Sequence, residues 1–249
     1  MTDAAQLEEF LAGAHIDTSV SELRPDYRAL LVAVDGVAPA RTDEISERLL
    51  ARAENVAVAL LADTAVEDLP HVAAWREAYR AFGAKPQRTR NSLEALLRRA
   101  GPGLPRVNRL TDIYNAVSVI HQVPLGGEDL SRYDGPPRLI RATGGEAFDS
   151  VANGRPVVEH PEPGEIVWCD ATGVTCRRWN WRQARRTLLT PGTTSALFIL
   201  DALAPMSDDA LTAAGDDLVE QLSRLGTDVR VAIRVLPPEN PATTTQEHP

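Results

Sequence analysis

The chain has few of the residues that most often carry chemistry. Its two cysteines, Cys169 and Cys176, cannot supply a four-ligand zinc site among 249 residues. In a reducing compartment they are not expected to pair, so both read as small core residues. The five histidines are scattered, and no H-E-x-x-H, G-x-S-x-G or P-loop pattern occurs. A histidine-driven nucleophilic triad is therefore not expected, nor is a metal or a cofactor. No run approaches the roughly 18 to 20 apolar residues that span a bilayer, and "MTDAAQLEEF" has neither a basic nor an apolar leader segment. The expectation is a cytoplasmic protein with no membrane partner. Lysine is almost absent, Lys85 being the one copy, and 35 acidic residues outweigh 26 basic ones to give a net charge of −9. That balance disfavours indiscriminate binding to polyanions, DNA included, so any nucleic-acid contact has to come from a local patch.

Apolar residues make up 43% of the chain, enough for a sizeable core. The order of elements predicts one α/β (α+β) domain over 1–236, with a mixed or antiparallel sheet and flanking helices, followed by a disordered tail over 237–249, "PPENPATTTQEHP". A short helix and a loop should occupy the first 25 residues or so. "YRALLVAVDGVAP" reads as a buried strand, followed by a helix with Thr42 as its N-cap candidate. Further helices are expected from about Pro70 to Phe82, after Asn91 or Ser92, over "VNRLTDIYNAVSVIHQ", and from Ser207 to about Leu225. "PRLIRATG", "EIVWCD", "VTCRRWNW", "ALFILDAL" and "DVRVAIRVL" have the pattern of strands.

Three stretches carry candidate chemistry. On "VNRLTDIYNAVSVIHQ" the polar line Asn108, Asp112 and Asn115 runs one helical turn apart on a mostly apolar helix, which suits either a lined pocket or capping and core hydrogen bonds. "VPLGGEDL" reads as a loop whose Gly126 and Gly127 let backbone amides approach a ligand, with Glu128 as a candidate carboxylate; an ordinary turn is the alternative. In "RRWNWRQARRT" strand alternation would set Trp179 and Trp181 on one face and Arg178, Asn180 and Arg182 on the other. That surface could stack a base or hold a side chain while arginine meets a phosphate. Tryptophans anchored in a core beside a solvated strand edge remain the competing reading.

Four segments in order, "FGAKPQRTRNSLEALLRR", "VNRLTDIYNAVSVIHQVPLGGEDL", "IRATGGEAF" and "PGEIVWCDATGVTCRRWNWRQARRT", resemble the B3/B4 domain family. This is the module that forms the editing site in the β subunit of phenylalanyl-tRNA synthetase, and the resemblance covers about residues 80–205. It implies a two-part α/β unit whose pocket hydrolyses tyrosine wrongly attached to tRNA. The family's D-x-x-N helix motif matches Asp112 and Asn115, with Tyr114 where the synthetase commonly has a smaller threonine, which reshapes the pocket. "VPLGGEDL" stands where the synthetase generally has P-L-H-A-F-D. "RRWNWRQARRT" replaces a glycine-rich loop that carries a glutamate toward the substrate amine, leaving Asn180 or Gln183 to make that contact. The resemblance thus implies a free-standing hydrolase for mischarged aminoacyl-tRNA, without an aminoacylation core. Asn115, Gly126, Gly127 and Asn180 would form its catalytic set, and Asp112, Tyr114, Glu128, Trp179, Trp181 and Gln183 would line its substrate site. Arg178 and Arg182 would meet the phosphates of the aminoacylated tRNA end. A non-catalytic module that binds tRNA ends or amino acids is the alternative, and the oligomeric state is left open.

Overall fold

The structure, a computed structural model, describes residues 3–236, so the expected tail over 237–249 lies outside the described residues. Seven helices are present among them: α1 (Ala4–Ala12), α2 (Thr18–Leu23), α3 (Glu44–Leu60), α4 (Pro70–Ala81), α5 (Ser92–Leu97), α6 (Arg109–His121) and α7 (Asp208–Ser223). The strands are β1 (His15–Ile16), β2 (Arg28–Asp35), β3 (Leu125–Asp129), β4 (Arg138–Arg141), β5 (Phe148–Ala152), β6 (Arg155–Glu159), β7 (Ile166–Cys169), β8 (Val174–Arg177), β9 (Arg182–Gln183), β10 (Ser195–Ala202) and β11 (Arg230–Leu236). They make two sheets, and the fold is of the expected α+β kind. One sheet is antiparallel in the order β11-β2-β10-β3. The other is mixed, β1-β4-β7-β8-β5-β6, with β9 paired beside β8.

The antiparallel sheet is covered on both faces, which is why β2 and β10 read as unbroken apolar runs. Leu30, Val32, Val34, Phe198 and Leu200 face α3, α6 and α7. The alternate residues Ala29, Leu31, Ala33, Leu197 and Ile199 face α1, α4 and the mixed sheet through Leu7, Trp75, Tyr79, Leu139, Trp168 and Trp179. No helix of the described chain is long and apolar enough to cross a membrane.

Local chemistry moves several boundaries. Asp43, not Thr42, caps α3: its carboxylate accepts from the amides of Ile45 and Ser46, each at 3.0 Å, while the Thr42 hydroxyl donates to Asp112 at 2.6 Å. Asn91 caps α5 by accepting from the Glu94 amide at 2.9 Å. The first 25 residues form two short helices joined through β1 rather than one helix and a loop. The double glycine is not a turn. Gly126 and Gly127 are strand residues of β3, opposite Ile199 and Phe198. Gly127 is needed there because a Cβ would stand 2.7 Å from the Phe198 ring and 2.9 Å from Leu189. "VTCRRWNW" does not continue as a strand either. β8 stops at Arg177 because Arg178 (φ 49°) and Trp179 (φ 67°) both enter the left-handed region, so the expected two-face alternation of tryptophans and arginines does not form.

Candidate functional site

A cavity of about 460 Å³ opens where the β3 edge of the antiparallel sheet, α5, α6 and the left-handed turn after β8 meet. It gathers Tyr114, Asn115, Gly126, Glu128, Trp179, Asn180, Trp181, Arg182 and Gln183, residues taken from all three candidate stretches. Three expected members do not line it: Asp112, Gly127 and Arg178. Asp112 is fully buried at the α6 N-terminus, where its carboxylate accepts from the Val107 amide at 2.8 Å and from Thr42, so it is occupied as a structural clamp. Gly127 turns toward Phe198 on the other face, although its carbonyl accepts from Gln183 Nε2 at 2.8 Å and so fixes that side chain at the wall. Consecutive amides in a strand point to opposite edges, so Gly126 and Gly127 cannot both aim N–H groups at one oxyanion.

The turn over 178–181 shapes one wall. The left-handed pair drives Trp179 fully into the core, edge-on to Tyr27 at 4.9 Å and to Trp75 at 5.3 Å between centroids. Trp181 stays half-buried at the mouth between the guanidiniums of Arg178 and Arg182, at 4.6 and 4.7 Å from its ring. Those arginines are engaged within the protein. Arg178 bonds Thr89 and lies 3.6 Å from Glu165, and Arg182 donates to Glu159 at 2.7 Å. Arg177 makes a bidentate pair with Glu165, both bonds 2.8 Å, that pins the start of the turn. Asn180 is also held. Tyr79 donates to its Oδ1 at 2.9 Å, its Nδ2 donates to Asp201 at 3.3 Å, and its carbonyl accepts from the Ser92 amide at 3.1 Å, which ties the turn to α5.

The segments flanking α5 supply a second lip that the sequence reading did not single out. Arg88, Arg90, Arg98 and Arg99 all reach the cavity and are exposed. Arg98 is tethered to the fully buried Glu94 at 3.0 Å and to Glu67 at 2.6 Å, and Arg90 lies 3.6 Å from Glu94. Arg88 and Arg99 form no ion pair among the described residues.

Two buried carboxyls complete the lining. Asp201, near the end of β10, accepts from the Tyr27 hydroxyl at 2.5 Å and from Asn180; burial pushes it up to about 7 even though Tyr27, Asn180 and Trp168 oppose the shift. Burial likewise pushes Glu128 up to about 7 against the hydroxyls of Tyr133 and Thr175. Cys176 also lines the cavity, but burial raises its thiol well above the ordinary range, so it offers no thiolate nucleophile. Asn115 stands apart: it is 7% exposed, and its side-chain amide has no hydrogen-bond partner among the described residues. An amide open toward a cavity is free to meet water or another polar group there. Among the described residues no three His, Cys, Asp or Glu side chains converge as metal ligands.

Asp201 escaped the sequence reading because "ALFILDAL" reads as buried strand. The signal was available in principle, since a lone acid on the core-facing side of such a strand is a buried polar exception.

No curated protein matches the chain. Among solved structures it is similar to an N-terminal fragment of the phenylalanyl-tRNA synthetase β-subunit from Pyrococcus horikoshii, at 13% identity and a TM-score of 0.43, covering 87% of this chain and 50% of that one. The chain therefore spans half the length of that fragment. Residues 74–214 match the family model described as the B3/4 domain, a span that contains every residue lining the cavity. With more than half of its length matched by that model, the chain belongs to the B3/4 domain family.

Proposed function

We propose that this protein hydrolyses the ester of mischarged aminoacyl-tRNA, acting in trans. The observation that carries the reading is the meeting of an arginine lip with a cavity into which the open amide of Asn115 faces. On a chain of net charge −9, that lip is where a polyanion would be met. Arg88 and Arg99, free of carboxylates, are better placed to take phosphates than Arg178 and Arg182, which hold the turn and frame Trp181. A cavity of this volume accommodates an aminoacyl group.

The chemistry needs no enzyme nucleophile. Water adds to the ester carbonyl carbon to give a tetrahedral oxyanion, which collapses as the bond to the ribose oxygen breaks, and the water's proton passes through the neighbouring ribose hydroxyl to that leaving oxygen. Asn115 orients the carbonyl or the attacking water, and one amide of the β3 edge supports the oxyanion. Asn180 acts at one remove, as the positioning residue that fixes Asp201 and joins the turn to α5.

Deacylation of a panel of mischarged tRNAs tests this. Asn115→Ala should lower the rate about a hundredfold to a thousandfold, the range for losing one oriented donor, with the melting temperature unchanged. If the wild type binds tRNA or amino acid but releases nothing above the spontaneous rate, a binding module replaces the hydrolase. Equal losses of rate and stability would assign Asn115 to the core.

A further inference from the structure

Glu128 and Asp201 stand on one face of the antiparallel sheet. Leu197 pairs with Glu128 and Ile199 with Gly126, and alternation puts Leu197, Ile199 and Asp201 on the same side of β10. At about 3.4 Å per residue and one strand spacing of about 4.8 Å, four residues of offset separate the two Cα atoms by about 14 Å. Between them lie Ile199 and Gly126, the latter overlain by the Gln183 amide, whose Nε2 stands 3.1 Å from where a Cβ would sit, and all four residues line the cavity. The floor thus runs from one carboxyl to the other past the Ile199 side chain and the Gln183 amide.

Neither carboxyl is paired with a cation of the described chain. Their hydrogen bonds come from neutral groups, Tyr133 to Glu128, and Tyr27 and Asn180 to Asp201. Buried carboxyls are ordinarily paired, so two at a cavity without an ion pair, Glu128 feeling only the charge of Arg186, favour a ligand that brings positive charge. Burial holds both near 7, so each can release its proton to an arriving cation at neutral pH. The unpartnered amide of Asn115 faces the same space and points independently to a ligand.

We infer that the cavity receives a basic amino acid, with its α-ammonium at one of the two carboxyls, its side-chain ammonium at the other, and its methylenes against Ile199 beside the Gln183 amide. A charge-assisted hydrogen bond at each carboxyl suits a chain that carries an ammonium at either end, such as lysine. Asn115 then remains for the ester carbonyl and the arginine lip for phosphates. An aliphatic or aromatic amino acid leaves one buried carboxyl without a counter-charge. This assignment rests on the reading of the cavity as an aminoacyl site.

Calorimetry on the unmodified protein tests it, with lysine methyl ester, norleucine methyl ester (the same chain without the amine) and cadaverine (the diamine without the ester). Lysine ester should bind at least about tenfold tighter than norleucine ester, as one charge-assisted hydrogen bond allows. Asp201→Asn and Glu128→Gln should each erase that preference. Equal binding of the two esters overturns the inference, and that wild-type comparison does not depend on either variant folding. Cadaverine binding as tightly as lysine ester overturns the amino-acid assignment in favour of a diamine receptor. If Glu128→Gln abolishes hydrolysis of every ester while lysine preference persists, Glu128 is a proton acceptor and the two-ended receptor fails. Hydrolysis of mischarged tRNA without preference for a basic residue removes this inference and keeps the hydrolase; lysine preference without hydrolysis does the reverse.

Discussion

Replacing Asp201 by asparagine should change how stability depends on pH, and the size follows from its surroundings. The unfolded carboxyl titrates near 3.8 and the folded one near 7, so the folded state holds the extra proton between those values. A raised carboxyl contributes stability fully below about pH 4 and loses it as pH climbs through 7. At about 1.36 kcal/mol per unit the whole effect is about 4 kcal/mol, of which about 2 to 3 kcal/mol falls between pH 5 and 8. Asp201→Asn cannot ionise, so its stability should fall by that much less over the same interval. The variant also carries a constant penalty, because its new amide donor meets Asn180 Nδ2 where a carboxylate accepted it, worth about 1 to 3 kcal/mol at every pH. Urea denaturation of both proteins at pH 5, 6, 7 and 8 separates the two, since the penalty shifts the curve and the ionisation tilts it. Parallel curves would refute the claim that Asp201 is buried with a raised pKa. Glu128→Gln should flatten the same slope independently, because its carboxyl is raised from 4.5 to about 7 by the same cause.

Three further outcomes are expected. Arg88→Ala with Arg99→Ala should weaken tRNA binding and reduce the salt slope by about 0.7 per lost phosphate contact, whereas Arg178→Ala, which loses Thr89, Glu165 and Trp181, should register mainly in thermal melting. Gly127→Ala should destabilise by about 1 to 3 kcal/mol in denaturant titrations because the Phe198 ring has no room for a methyl group. Gly126→Ala, which meets only the end of Gln183 at 3.1 Å, should leave folding intact and weaken ligand binding. Cys169 and Cys176 should resist alkylation at pH 8 in the folded protein and react once urea exposes them, since burial raises Cys169 to about 11 and Cys176 further.

The helices were legible in the sequence because their signals are local. Asn91 and Ser207 cap where capping chemistry puts them, and α6 follows its apolar spacing. The buried strands β2 and β10 were legible as apolar runs. What failed was any reading that needed the far side of the molecule. Gly126 and Gly127 look like a turn until Ile199 and Phe198 pair with them, and Trp179 looks like a strand residue until two left-handed dihedrals send it into the core. The cavity was half visible: Asn115, Glu128 and Asn180 could be named, but Asp201 and the arginines flanking α5 join them only through tertiary contacts.

The placement of the tryptophans makes the protein its own optical probe. Trp75, Trp168 and Trp179 are at most 1% exposed, which leaves Trp181, framed by two guanidiniums at the cavity mouth, as the indole that solvent can reach. Of the four emitters in the chain, a collisional quencher such as acrylamide should reach one. An occupant of the cavity would shield that ring while the buried three keep a constant, blue-shifted background. Titrating ligand against the quenchable fraction therefore reads occupancy without a label, and Trp181→Phe supplies the blank.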